Sequence, residues 1–120
     1  MFSGHLPILD DGSMITGQVG TDLTVEQGAQ AARQVGLNII ASLQAEIGDL
    51  ERVERVSKLF GMVNAGPSFN QHPLVINGCS QLFCDLWGND HGVGVRSACG
   101  VSGLPGNVAV EIEGAFLLKE

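Results

Sequence analysis

The spacing of apolar residues along the chain predicts two helices. Thr24 is followed three residues later by Gln27, which fits a capping box at the start of a helix. Apolar or small residues then recur at steps of three and four, so an amphipathic helix of about 22 residues is expected, ending at Gly48. The same spacing predicts a second helix over residues 73–87, with a proline in its first turn.

Short apolar runs between turn signals predict five strands around these helices. They cover residues 1–9, 14–19, 53–65, 93–101 and 108–118. The resulting order, ββαβαββ, favours an α+β domain in which two helices lie alongside one mixed sheet, over residues 1–120. The small residues on the first helix should let it lie close on that sheet; the expected contacts are Ala29, Ala32, Gly36 and Ile40.

The last two predicted strands carry the most informative charges. Side chains alternate between the two faces of a strand, so Arg96 has only small neighbours on its face, while Glu111 and Glu113 share one face of the next strand. If these strands pair antiparallel, Arg96 lies near one of the two glutamates, on the face that the helices leave uncovered. The pattern permits an ion pair between strands. It also permits a site where the guanidinium binds a small carboxylate and a glutamate moves a proton.

Composition and charge exclude several classes of function. Six basic residues and a net charge of −7 argue against a nucleic-acid partner, because binding phosphates requires clustered Lys and Arg. No apolar run approaches the roughly 20 residues of a membrane span, and no signal peptide is visible. Three cysteines without a C-x-x-C pair predict reduced thiols and a cytoplasmic location. The spacing of His5, His72 and His91 predicts no metal site.

Motifs along nearly the whole chain resemble the reactive-intermediate deaminase family, also called RidA/YjgF. The matching residues near the C-terminus are Arg96-Ser97, Leu104-Pro105 and Val108-Ala109-Val110-Glu111-Ile112-Glu113. Ser3-Gly4-His5-Leu6-Pro7 looks like the Ser-Gly-Gln-x-Pro strand of the family. Further segments follow in the family order, over residues 16–20, 48–53 and 69–80.

This resemblance implies a chorismate-mutase-like (ferredoxin-like) fold and a homotrimer with sites between neighbouring subunits. The implied reaction is hydrolysis of reactive enamines and imines, of the 2-aminoacrylate type, to 2-keto acids and ammonia, without a cofactor or a metal. By resemblance, Arg96 grips the substrate carboxylate and Glu111 positions or activates water. The implied pocket lining is the backbone at Ala98, Ser3 and Gly4, with Cys99, Glu113 and Asn77 as further candidates close to it.

Two departures from the family pattern bear on the activity. Many members carry a cysteine two residues after the arginine, whereas this chain has Ala98 there and Cys99 next. Members also carry a strand and an aromatic residue before the Ser-Gly motif, so the domain is expected to be N-terminally shortened. The alternative function is therefore a non-catalytic binder or sensor of small 2-keto acids at the same site. Some members are labelled ribonucleases, against which the acidic charge argues.

Overall fold

A computed structural model describes all 120 residues and contains two helices packed on a four-stranded mixed sheet. The strand order in the sheet is β1-β4-β2-β3. β4 pairs antiparallel with both β1 and β2, and β2 pairs parallel with β3. The predicted α+β class is confirmed, with the following element bounds: β1 (Phe2–His5), α1 (Val25–Ile47), β2 (Val53–Asn64), α2 (His72–Trp87), β3 (Val95–Val101) and β4 (Val110–Leu118).

The helices begin and end where local signals predict. The Thr24 side chain accepts a hydrogen bond from the backbone N–H of Gln27 at 3.1 Å, and the Gln27 side chain accepts one from the backbone N–H of Thr24 at 2.8 Å. This is the predicted capping box, and Gly48 caps the other end of α1 with a positive φ of 83°. Neither helix is long and apolar enough to cross a membrane.

The predicted strand over residues 14–19 is wrong. This stretch makes only isolated bridges, such as Thr16 to Val108 and Val19 to Ala65. Its glycine and the one that follows it both have positive φ, 118° at Gly17 and 94° at Gly20, which interrupts an extended run. The first strand is also shorter than predicted, because β1 ends at His5, before the proline.

The antiparallel pairing considered for the last two strands does not occur. β2 lies between β3 and β4, so these two strands are not neighbours. The reason is the β2–α2–β3 connection: a helical crossover returns the chain parallel to β2 and fills one of its edges. β4 then pairs with the other edge, and the loop over residues 102–107, which includes a single 3₁₀ turn, carries the chain across.

The small residues of α1 contact α2 as well as the core, which corrects the predicted helix–sheet contact. A side chain at Gly78 of α2 would collide with the backbone carbonyl oxygen of Ala29, and Gly36 lies against Cys79 and Leu82. The fully buried positions of α1 include Ala32, as predicted. Gly36 is buried as well, as predicted, and four residues outside the predicted set are buried: Gly28, Ala31, Val35 and Ile39.

The two faces of the sheet differ in character. One face packs against both helices through a core that includes Leu59, Val63, Phe83 and Ile112. The other face, called the open face below, is exposed or half-buried in the single chain. Its members alternate with the core-facing residues along β2, β3 and β4 and are Lys58, Phe60, Met62, Val95, Ser97, Cys99, Glu111, Glu113 and Ala115.

Candidate functional site

Arg96 lies on the helix side of the sheet, at the edge formed by β3. It is level with Leu59 of β2, which is buried in the core. Its Nη1 donates hydrogen bonds to Oδ1 of Asn77 at 2.8 Å and to Oγ of Ser80 at 3.1 Å, both on α2. The expectation that Arg96 occupies the uncovered face is therefore wrong. Parallel pairing with β2 places Arg96 beside Leu59, on the face that the helices cover.

Neither hydrogen-bond partner of Arg96 carries a charge that would neutralise the guanidinium. Both Asn77 and Ser80 are uncharged, and the Arg96 side chain is exposed. Beside it lies a cleft of about 450 Å³, also lined by Cys84 and Gly94. This volume is within the range of small-molecule pockets. An arginine with three further N–H donors at the edge of such a cleft can bind an anion.

Glu111 lies on the open face, on the other side of the sheet. It is level with Met62 of β2 and half-buried, and Glu113 follows it on the same face, more exposed. Gly4 of β1 lies so close that a Cβ there would overlap the Glu111 carboxylate. The structure therefore brings Glu111 and the Ser3–Gly4 segment together; these three residues are called the carboxylate half-site below.

Arg96 and Glu111 cannot meet within one chain. Their partners on β2, Leu59 and Met62, are three residues apart, and an odd separation along a strand places side chains on opposite faces. The predicted proximity of Arg96 to Glu111 or Glu113 is thus wrong for the single chain. Arg96 with Asn77 and Ser80 forms a second group, called the arginine half-site below.

The remaining candidate residues divide between the two faces. Ala98 is level with Gly61, on the same side as Arg96. Cys99 is level with Met62, on the open face with Glu111. Ser80 was not among the residues predicted from sequence. The available signal was its spacing of three from Asn77 on a predicted helix, which places both polar side chains on one helix face.

The cysteine thiols and histidine rings provide weaker candidates for a functional site than the two half-sites do. Burial raises the pKa of the Cys79 thiol to about 12, with the charge of Arg96 opposing the shift, so Cys79 remains a neutral thiol at physiological pH. His5 joins the backbone oxygen of Ser3 to the Ser42 hydroxyl, a structural link between β1 and α1. No group of three or more His, Cys, Asp or Glu side chains is arranged to hold a metal ion.

The fold and the sequence define the class of protein. Residues 1–107 match the family described as "YjgF/chorismate_mutase-like, putative endoribonuclease". The chain belongs to this family, and its two helices on a mixed sheet are the chorismate-mutase-like fold.

Particular relatives extend the similarity over almost the whole chain. Protein TCP17 of Trypanosoma cruzi is 45% identical over 111 residues, which are 92% of this chain and 69% of that protein. The crystal structure of Atu1372 from Agrobacterium tumefaciens, a protein of unknown function, is 38% identical with a TM-score of 0.94, covering 98% of this chain and 77% of that one. A Shewanella oneidensis structure described as a "putative endoribonuclease" is 32% identical with a TM-score of 0.86, covering 92% and 72%.

Proposed function

We propose that the protein hydrolyses small 2-imino acids and their enamine tautomers, of the 2-aminoacrylate type, to 2-keto acids and ammonia. The observation that carries this proposal is the exposed guanidinium of Arg96, whose two partners on α2 are neutral, at the edge of a cleft. A planar cation with free donors suits a small carboxylate. The free thiols of the three cysteines favour a reducing compartment, and we place the reaction in the cytoplasm.

The separation of the two half-sites supports an oligomer. Because Arg96 and Glu111 face opposite sides of the sheet, a complete site requires Arg96 from one copy and Glu111 from another. The open face is suited to such a contact, since it mixes the apolar side chains of Phe60 and Met62 with charged residues. We propose a homotrimer in which each junction between neighbours joins one arginine half-site to one carboxylate half-site.

In the proposed reaction, Arg96 binds the substrate carboxylate, with backbone groups near Ala98 lining the pocket. Glu111 accepts a proton from water as the water oxygen attacks the imine carbon. The resulting carbinolamine takes a proton on nitrogen and loses ammonia, while its hydroxyl proton leaves and the 2-keto acid forms. One water is consumed for each ammonia released. Gly4 lies against the Glu111 carboxylate, so in this reaction the Ser3–Gly4 segment lines the part of the site where water binds.

Subunit complementation tests the shared site. Arg96→Ala and Glu111→Gln chains, carrying different tags, are co-expressed and purified through both tags, so every trimer is mixed. Each mixed trimer then has one junction with both native residues, and we expect about one third of wild-type ammonia release from iminobutyrate made in situ. Each variant alone should be nearly inactive. Mixed trimers as inactive as either parent would contradict a site shared between chains.

Binding measurements separate the two roles at the site. Arg96→Ala should weaken 2-ketobutyrate binding strongly, leaving only a weak residual affinity in calorimetry. Arg96→Lys should weaken it less, because an ammonium keeps the charge without the two-pronged donor set. Glu111→Gln should bind 2-ketobutyrate with about wild-type affinity yet lower turnover, since an amide does not exchange a proton at neutral pH. If Arg96→Ala binds 2-ketobutyrate as well as wild type, the assignment of the anion site is wrong.

The same measurements address the alternative function. A wild-type protein that binds 2-ketobutyrate but never accelerates ammonia release would be a binder or sensor of small 2-keto acids. Ribonuclease activity, which the family description names, has weaker support in this chain. The net charge of −7 disfavours a polyanionic substrate.

A further inference from the structure

Two side chains on one turn of α2 accept hydrogen bonds from the same nitrogen of Arg96. Asn77 and Ser80 are three residues apart, so their side chains lie on the same face of the helix. Both accept hydrogen bonds from Nη1, at 2.8 Å and 3.1 Å. Nη1 carries two hydrogens, and the two acceptors are therefore sufficient to engage both of them.

Two of the three remaining donors of Arg96 point to the same edge of the guanidinium, the edge formed by Nε and Nη2. Of its five N–H groups, two are on Nη2 and one is on Nε. A carboxylate can pair side-on with Nε and Nη2, with two parallel hydrogen bonds. The end-on alternative, which uses Nη1 and Nη2, would require Nη1 to share or leave its partners on α2.

We propose that α2 presents Arg96 as a one-sided carboxylate receptor, with Ser80 as a positioning residue that commits the substrate to the Nε–Nη2 edge. This inference rests on the proposed function for the identity of the anion. A long exposed side chain loses rotamer freedom when it binds a ligand, and anchoring beforehand lowers that entropic cost. Ser80 thus acts on substrate binding through Arg96, without contacting the reacting atoms.

Removal of the hydroxyl tests this role. Ser80→Ala should weaken 2-ketobutyrate binding by up to about tenfold, the size expected when one long side chain must be immobilised on binding instead of beforehand. KM for iminobutyrate should rise similarly while kcat stays within about twofold, because the lost interaction serves substrate and transition state alike. Ser80→Thr, which restores a hydroxyl, should recover most of the affinity.

A double-mutant cycle distinguishes positioning from a general structural effect. In an Arg96→Ala background, Ser80→Ala should change the weak residual affinity by less than about twofold, since the residue on which it acts is gone. Ser102→Ala, at an exposed serine in the loop after β3, is the matched control and should bind as wild type. A Ser80→Ala protein with wild-type affinity, or an equal loss in both backgrounds, would overturn the positioning role.

A crystal structure with 2-ketobutyrate tests the geometry. The expected complex has the two carboxylate oxygens on Nε and Nη2, with Nη1 still on Asn77 and Ser80. A carboxylate on Nη1, with the contacts to α2 broken, would overturn the inference while leaving Arg96 as the anion site. Retained binding in Arg96→Ala is a different failure, which would refute the proposed function itself.

Discussion

At the scale of single residues, the candidate site depends on two hydrogen bonds to Arg96 and on one glycine beside Glu111. Asn77 and Ser80 fix one nitrogen of Arg96. Gly4 leaves the space that the Glu111 carboxylate occupies. The family resemblance named Arg96, Glu111 and Gly4 as candidates. It did not indicate the contacts that each of them makes, because those contacts join distant segments of the chain.

Replacement of Gly4 by alanine should affect catalysis more than stability. The new Cβ would overlap the end of the Glu111 side chain, which is flexible and can rotate away, so we expect a stability loss of less than about 1 kcal/mol. Turnover of iminobutyrate should fall at least about tenfold because the displaced carboxylate no longer orients water. Thermal unfolding, ammonia release and 2-ketobutyrate calorimetry check this together. Unchanged turnover would show that the position of Glu111 does not limit the reaction.

At the scale of elements, the contact between the helices is set by small residues. Gly78 of α2 and Ala29 of α1 approach until no Cβ fits at residue 78, and Gly36 lies against Cys79. Helical periodicity predicted where both helices lie and that Ala29 and Gly36 share one face of α1. The identity of the surface opposite that face was not predictable, because a stripe of small residues fits closely against either a sheet or a second helix.

Gly78→Ala should reverse the usual effect of glycine replacement in a helix. Helix propensity alone predicts a gain of about 1 kcal/mol. The structure instead places the new methyl group on the Ala29 carbonyl oxygen, so we expect a net loss of about 1–3 kcal/mol from overpacking. Chemical denaturation measures the sign. Gly103→Ala is the matched control, because a Cβ at residue 103 has open space around it and should change stability little.

At the scale of the whole molecule, the sheet leaves one face without helices. The open face carries Phe60 and Met62 between charged neighbours, and the two half-sites lie on opposite sides of the sheet. Assembly of several copies would bury the open face and would bring the two half-sites together. Oligomeric state is therefore the measurement that links the fold to the proposed reaction.

Phe60→Glu should dissociate the proposed trimer without unfolding the chain. Phe60 is half-buried on the open face, so the folded monomer tolerates the charge, whereas a packed interface does not. Light scattering should give about three times the 12.6 kDa chain mass for wild type and about one chain mass for the variant, with ammonia release lost. Leu37→Glu, on the exposed side of α1, is the control and should remain trimeric. A wild-type protein that is monomeric at micromolar concentration would refute the assembly.

The sequence by itself determined the local features of this protein. The Thr24 capping box, the extent of both helices and the alternation along β4 follow from interactions between residues a few positions apart. The tertiary structure alone decided the strand order, the face that Arg96 occupies and the surface that α1 contacts. These features depend on which strand edge is free when the β2–α2–β3 crossover closes, and no local spacing encodes that choice.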